Sequence, residues 1–586
     1  MKQFQFSFKD GETLDRALAQ LRKIYDDSHF SGVLIHIYTE SVDREKIEKA
    51  LSRIDEVLPE AVCVGCSTNG NIVDGDFSGE PFALICSFFE YSSTKVKLLQ
   101  YKLTEETQAE ISDAVVGEVA ENDWVKGVEF VLTIRGMSLT GLCDGLSKVR
   151  EGVQIFGGGA FSADVNIDDA CVFSNKYGFE EKGIAFILIG GEDLHIFSSF
   201  VSGWKPLGSF LNVTSAEGCV MKELNDRPAY ETYFRYLKIK NDENFFFHTL
   251  EFPFLYRDKD IDIMRAPVSC NPDGSLVMTS DIPRNARIRL AYGDPWTILE
   301  STREEADRLE KFTPDCVIVF SCAGRRTFWG NDKVGSETEA YQEVAPTSGF
   351  YTSSEFLGNS QYVHQHNVTQ VLAAMREGDV KETRNLTFSS SNKAFDGKVP
   401  MINRMAAFIK ATMEELEDAN RRFSIMAKTD ALTGLLNRGE IQRVISDSID
   451  DGMINDIYLI MMDLDNFKHV NDQYGHKEGD NVLIRLSGML RETMADLGLN
   501  CYCGRWGGEE FMIMIHSTEK SVVTKHAERI RKTMEKIRFE NAGQVTVSVG
   551  VTKVHPAETA DKACIRVDNA LYEAKNSGKN RVVFVE

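Results

Sequence analysis

Arg505-Trp506-Gly507-Gly508-Glu509-Glu510-Phe511 stands between two apolar runs, 501–505 and 511–516. Paired glycines there read as a hairpin turn that needs positive φ and lets backbone approach a ligand. Glu509 and Glu510 then sit on the hairpin tip. Upstream, residues 457–462 (IYLIMM) form a continuous apolar run of the kind a doubly covered strand needs, and Asp463 closes it. Ligands of open α/β sheets gather at the carboxyl ends of strands. A hairpin pairing beside that strand brings three carboxylates to one sheet end. Without cations they repel; hard divalent ions with oxygen ligands, Mg²⁺ or Mn²⁺, resolve the conflict. Such a site suits in-line phosphoryl chemistry.

Taken singly, an Asp at a strand end is ordinarily a solvated cap, and Gly-Gly before acids is ordinarily only a turn. The weight lies in five motifs in order: Asp430 to Arg438 (DALTGLLNR), Met462 to Lys468 (MDLDNFK), Asn471 to Asp480, the hairpin, and finally 546–550 (TVSVG) with 568–580 (DNALYEAKNSGKN). Together they resemble the GGDEF family of diguanylate cyclases, in its Gly-Gly-Glu-Glu-Phe form, over about 428–586. The resemblance implies a ferredoxin-like (βααββαβ) nucleotidyl-cyclase domain. It implies the condensation of two GTP into cyclic di-GMP and two pyrophosphates by a homodimer, each subunit holding one GTP. By position, Asp463, Glu509 and Glu510 match the catalytic acids and metal ligands, with the Leu464 carbonyl as a further ligand and Mg²⁺ or Mn²⁺ as cofactor. Glu509 matches the group assisting hydroxyl deprotonation. Asn471 and Asp480 match the guanine-reading pair. Phe467 and Lys468 match the turn that holds phosphates, Gly507 and Gly508 the hairpin beside GTP, and Lys575 and Lys579 the phosphate-binding cations. Lys579 stands where the family commonly has Arg, so a bidentate fork is lost. Gly498 and Cys501 stand where the family's product-inhibition site has Arg and Asp, so that site is expected to be absent.

The rest of the chain is read outward from this domain. Its length of 586 residues exceeds one core. At roughly 100–200 residues per domain it suggests about three to five units. Hydrophobic residues at 42% and charged residues at 26% mark a globular protein rather than a disordered one. A net charge of −23 argues against nucleic-acid or anionic-membrane partners. A bilayer span needs roughly 18 consecutive apolar residues, and no run comes near that length. The Phe-polar alternation of 1–10 is no signal peptide. Twelve cysteines are too sparse for a disulfide scaffold, so reduced thiols and a cytoplasmic location are expected. For Cys63 and Cys66, buried strand thiols are favoured over a redox or metal site.

Before the cyclase, residues 389–398 (SSSNKAFDGK) and Pro400 read as a break. Ile402, Met405, Ile409, Thr412, Leu416, Ala419, Phe423 and Met426 then recur at alternating steps of three and four, a heptad seam. It predicts a coiled-coil, dimerising signalling helix over 400–428, ahead of the cyclase at 429–586. From Phe30 to Leu372, short apolar runs alternate with amphipathic stretches, predicting an α/β and α+β multidomain chain without a short-period repeat. Phe320 to Arg325 (FSCAGR), Gly349 to Glu355 (GFYTSSE) and His366-Asn367 resemble the FIST sensory family, as a two-part sensor over 28–220 and 221–372. That resemblance implies a small ligand such as an amino acid. Arg325 and Glu355 are candidates to clamp its carboxylate and ammonium, with surface residues or a salt bridge between the two as the alternative. Some members bind haem; His364 and His366 qualify only by residue type, and the reading goes against haem.

Overall fold

The computed structural model describes residues 1–28, 30–134, 136–164, 167–258, 261–383, 386, 401–450, 457–497, 501–517, 519–555 and 558–586. The polar break at 389–398, Pro400 and Gly498 therefore lie outside the described residues. The chain divides into two compact units, Met1–Lys410 and Ala411–Glu586.

In Met1–Lys410 three six-stranded sheets share one plan: two strands in antiparallel array, a parallel pair, then a hairpin at the edge. The first orders Lys2–Phe8, Phe82–Phe89, Gly32–Thr39 and Ala61–Ser67 before the hairpin Val172–Ser174 and Gly178–Glu180. The second orders Lys95–Lys102, Gly183–Gly190, Val125–Leu132 and Gln154–Gly159 before Glu355–Gly358 and Val363–His366. The third orders Leu194–Val201, Gln370–Glu377, Cys316–Cys322 and Thr347–Thr352 before Asn71–Val73 and Asp76–Ser78. No sheet keeps the hairpin that follows its own parallel pair. The first repeat's hairpin completes the third sheet, the second's completes the first, and the third's completes the second.

One residue type marks the repeat. Gly65, Gly157 and Gly349 oppose Ile37, Phe130 and Val319 in the three parallel pairs. A Cβ on these glycines would stand 2.2, 2.0 and 1.9 Å from the carbonyl oxygens of those partners. Inner faces of all three sheets meet in one core that includes Leu34, Val131, Phe156, Ile318 and Phe350. The outer faces carry the helices: Leu18 and Ile54 pack on the first sheet, Ile111 and Leu142 on the second, Ile298 and Tyr341 on the third. His36 and Glu129 occupy equivalent places on the inner faces, buried, with Nε2 and Oε1 3.0 Å apart. The two sensory halves expected as linked units are thus one body, because their strands complete each other's sheets.

The third repeat alone carries a large insertion between Leu194–Val201 and the helix Pro295–Phe312. Its strands, from Trp204–Glu217 to Arg287–Gly293, form the eight-stranded sheet around its own small core, which includes Val213, Phe254 and Ile288. Cys63 and Cys66 lie on Ala61–Ser67 three residues apart, hence on opposite faces. Cys63 faces the helices and Cys66 the central core; both are free, buried thiols whose pKa burial raises well above the usual value.

The helix Met401–Lys428 fills the place of the heptad seam, and Met405, Leu416, Phe423 and Met426 on it are exposed. None of the described helices is long and apolar enough to cross a membrane. Beyond Lys428 the elements run Ile457–Leu464, Phe467–Tyr474, His476–Leu497, Cys501–Gly507, Glu510–His516, Lys520–Lys536 and Val547–Lys553, which is the βααββαβ succession, followed by Ala560–Asn576 and Val582–Val585. The sheet places Ile457–Leu464 between Glu510–His516 and Val547–Lys553, both antiparallel to it. Leu483, Leu486 and Leu490 cover one face together with Val523 and Ile530. Ile441, Ile445, Val567 and Leu571 cover the other.

Candidate active site

Sheet register assembles the site. Asp463 pairs with Glu510 on one side and Ser548 on the other, so the strand end and the hairpin tip lie side by side. The Leu464 amide donates to the Glu509 carbonyl at 3.4 Å, tying the tip to the strand. Only Gly508 takes the left-handed conformation, at φ +41°; Gly507 is an ordinary strand residue, which corrects the expectation for the pair.

Burial sets the electrostatics. Asp463 is buried, and the Lys575 ammonium stands 2.7 Å from its Oδ2. Burial pushes the Asp463 carboxyl up to about 6; Lys575 pulls it back, and Glu509 and Glu510 add to the rise. Glu510 is raised from the usual carboxyl value, first by burial and further by Asp568 and Glu509, against Lys575 and Arg438. Carboxyl groups resisting ionisation in company is the condition a dication relieves. The all-oxygen donor set of Asp463, Glu509, Glu510 and the Leu464 carbonyl therefore fits Mg²⁺ or Mn²⁺. Among the described residues no group of three acids, histidines or cysteines is already drawn together around a metal position.

The other expected residues border this centre. The Lys579 ammonium donates to Asn466 Oδ1 at 2.6 Å, which places it over the turn leading into Phe467–Tyr474. Both Asn466 and Lys579 have positive φ, +57° and +60°. Phe467 is buried in the core, so only its backbone amide can serve a phosphate, while Lys468 is exposed. Asn471 and Asp480 share the corner between the two following helices. A Cβ on Gly479 would stand 2.0 Å from Asn471 Oδ1, so glycine there admits that close packing. Asp480 is exposed and Asn471 half-buried.

Two anchors carry no role in the sequence reading. Asp465 accepts from Thr546 Oγ1 at 2.7 Å, Ser548 Oγ at 2.6 Å and the Asn580 amide at 3.0 Å, so it braces the strand end rather than facing a ligand. Asp430 caps the turn into Thr433 and pairs with Arg505 at 3.2 Å, whose other donors reach the Gly508 carbonyl at 2.9 and 2.7 Å. The turn after the long helix is thus fastened to the glycine-acid hairpin. Asp430 and Arg505 both stand inside recognised motifs, yet only the fold shows that they meet.

The expected sensor clamp does not form. Arg325 is fully buried and gives Nε and Nη2 to Glu337, both at 3.0 Å, and Nη1 to the carbonyls of Ser202 at 2.7 Å and Val368 at 3.0 Å. Arg325 and Glu355 are neither surface residues nor each other's salt-bridge partners: both are buried, and the partner of Arg325 is Glu337. Glu355 accepts from Thr369 through Oε2, while its buried Oε1 has no partner; burial pushes its carboxyl up to about 8. His366 is buried against Phe200, and burial with nearby His364 and Arg265 lowers it to about 3, so it is a neutral core histidine. His364 is mostly buried, 3.9 Å from Asp258.

A β-sheet domain with a carboxylate-bearing hairpin beside an acidic strand end is an arrangement that can hold a divalent cation for phosphoryl chemistry. Residues 427–581 match the family described as diguanylate cyclase, GGDEF domain; 33–227 match the FIST N domain and 229–357 the FIST C domain. The chain carries FIST N and FIST C domains ahead of a C-terminal GGDEF diguanylate cyclase domain. Diguanylate cyclase DgcM of Escherichia coli is 39% identical over 176 residues, 30% of this chain and 40% of DgcM. DgcZ of the same species is 35% identical over 170 residues, 28% of this chain and 55% of DgcZ. This chain thus spans about half or less of the length of these relatives. Among solved structures, the active GGEEF domain of a diguanylate cyclase from Vibrio cholerae is 31% identical, with 26% of this chain and 98% of that one covered and a TM-score of 0.25. The coiled coil and GGDEF domain of DgcB from Caulobacter crescentus is 27% identical, covering 32% of this chain and all of that one, with a TM-score of 0.30.

Proposed function

We propose that this chain is a sensor-regulated diguanylate cyclase that condenses two GTP into cyclic di-GMP and two pyrophosphates. The observation that carries it is the register that sets Asp463 against Glu510 at the sheet end, with Lys575 2.7 Å from Asp463. Asn471 and Asp480 would read the guanine: a carboxylate accepting from N1–H and the amino group is left unpaired by adenine, which selects against ATP. The Phe467 amide, Lys468, Lys575 and Lys579 would meet the phosphates. Glu509 would take the proton of the attacking 3′-hydroxyl. Mg²⁺ or Mn²⁺ held by Asp463, Glu509, Glu510 and the Leu464 carbonyl would neutralise charge on the phosphates and lower the pKa of that hydroxyl. Each 3′-hydroxyl attacks the α-phosphate of the GTP on a second copy, forming one P–O bond as the bond to pyrophosphate breaks.

The second copy is supported by the exposed seam on Met401–Lys428, an apolar stripe that a parallel partner helix would cover. The FIST region would bind a small ligand and bias how the two copies align. Turnover from GTP and Mg²⁺, with products separated by chromatography, tests the chemistry: cyclic di-GMP is expected from the wild type and not from Glu509→Gln. Binding of GTP without product in both would point to a receptor instead. Leu416→Pro breaks the seam and should abolish turnover in the full chain while leaving the variant's cyclase domain folded, as read by its thermal unfolding transition. Unchanged turnover would sink the stalk mechanism.

A further inference from the structure

The parallel pairs Val125–Leu132 with Gln154–Gly159, and Cys316–Cys322 with Thr347–Thr352, end close to one cavity of ≈ 480 Å³. The segments just past those strand ends line it: Ile134, Phe161, Ala323 and Ser353. The insertion unique to the third repeat closes the other side with Phe246, Leu250, Val268 and Met278. Carboxyl ends of parallel strands are where α/β folds hold ligands, and the volume falls within the roughly 300–1,000 Å³ of small-molecule sites.

The lining fixes the chemistry. Among the described residues it holds no Lys, Arg or His, and the charged residues among them are the exposed acids Asp164 and Glu243. Its buried polar groups largely satisfy one another. Thr279 donates to Asn367, Asn367 donates to Ser354, and Thr352 donates to the Gly159 and Ser354 carbonyls. Among the described residues a carboxylate entering here would meet two acids, whereas apolar surface would meet Ile134, Phe161 and Leu250.

One wall is strained. Val368 lines the cavity and has φ +60°. That is a conformation β-branched residues rarely adopt. Its carbonyl is held at 3.0 Å by the buried Arg325 guanidinium, itself locked by Glu337. Strain of this kind survives where surrounding structure over-determines it, and it concentrates at ligand sites. Arg325 thus supports the wall from behind rather than touching a ligand.

We propose that the cavity between the strand ends of the second and third repeats and the inserted sheet is the sensor's binding site, and that it takes an uncharged, mainly apolar small molecule rather than an amino acid zwitterion. The proposal rests on the reading of the FIST region as a sensor and names its seat and ligand class.

The full-length protein is titrated with the uncharged fluorescent probe N-phenyl-1-naphthylamine, alongside Val268→Trp, which fills the cavity from its partly exposed rim, and Val268→Ala, which does not. Saturable binding of one probe per chain is expected. It should weaken at least tenfold in Val268→Trp, hold in Val268→Ala, and be displaced by indole but not by glutamate or serine. Melting curves of the variants confirm that they fold. Equal affinity in Val268→Trp, or displacement by serine at lower concentration than by indole, would overturn the assignment. GTP turnover is read in the same samples. A turnover response to indole that survives in Val268→Trp would overturn this cavity while keeping the sensor. Probe binding lost in Val268→Trp, with turnover unmoved by indole in every protein, would keep the cavity and overturn the sensory role.

Discussion

The two units handle charge in opposite ways. In Met1–Lys410 the Arg325 guanidinium and Glu337 carboxylate are fully buried, and Trp329 and Gln370 add donors to the same carboxylate. In Ala411–Glu586 the carboxylates of Glu509 and Glu510 remain half-buried on a hairpin tip, and Lys575 stays one-third exposed beside Asp463. The first arrangement leaves nothing for a ligand to bind. The second holds mutually repelling acids within reach of solvent, a state that a dication can relieve. Satisfied charge builds walls, and unsatisfied charge does chemistry.

Four substitutions break or sharpen this contrast. Glu509→Gln should lower turnover by about 10²–10⁴-fold, the range of a lost general base, with the melting temperature unchanged. Arg325→Ala should act the other way. It leaves Glu337 buried without its cation and should cost the Met1–Lys410 unit about 3–5 kcal/mol in denaturant unfolding, with the unfolding transition of Ala411–Glu586 in the same chain unchanged. Arg505→Ala lies between them. Its part-exposed pair with Asp430 should be worth only about 0.2–1 kcal/mol, yet loosening the hairpin should slow turnover by up to about 10²-fold. A large loss of stability with normal turnover would erase the distinction between the two kinds of charge.

The last prediction concerns pH and Glu355, whose carboxyl rises from 4.5 to about 8. The native state then keeps a proton that the unfolded chain has already lost above pH 4.5. Stability should therefore fall as pH climbs from 4.5 towards 8, by at most about 1.4 kcal/mol per pH unit. Glu355→Gln should flatten that slope in melts of the sensory unit, and an unaltered slope would assign it elsewhere.

The catalytic domain is readable because its information is local. A strand end, a turn and a hairpin carry their chemistry within a few residues, and the apolar run at 457–462 is the core of the observed strand Ile457–Leu464. Strand positions in the sensory unit are equally readable, as at 32–38 and 316–321 against Gly32–Thr39 and Cys316–Cys322. Their partners are not, since nothing local to residues 71–78 says that this hairpin pairs with Gly349 and Phe350. The threefold plan is hidden for the same reason. Its most visible shared mark is one glycine per repeat, and the insertion stretches the third repeat beyond the spacing of the others. Small-residue clusters at 66–70, 156–160 and 349–355 can be read from sequence equally as ligand loops or as tight packing and turns. They are the crossovers where each repeat sends its hairpin away, and the last of them also lines the cavity.

Cyclic lending of hairpins makes every cut incomplete. A fragment ending after the second repeat would lack the hairpin that closes its second sheet and would carry one with no sheet to join. Fragments severed at that boundary would each present the edge that the other lacks, so the sensor could be divided into a complementation pair that regains its fold only when both pieces meet.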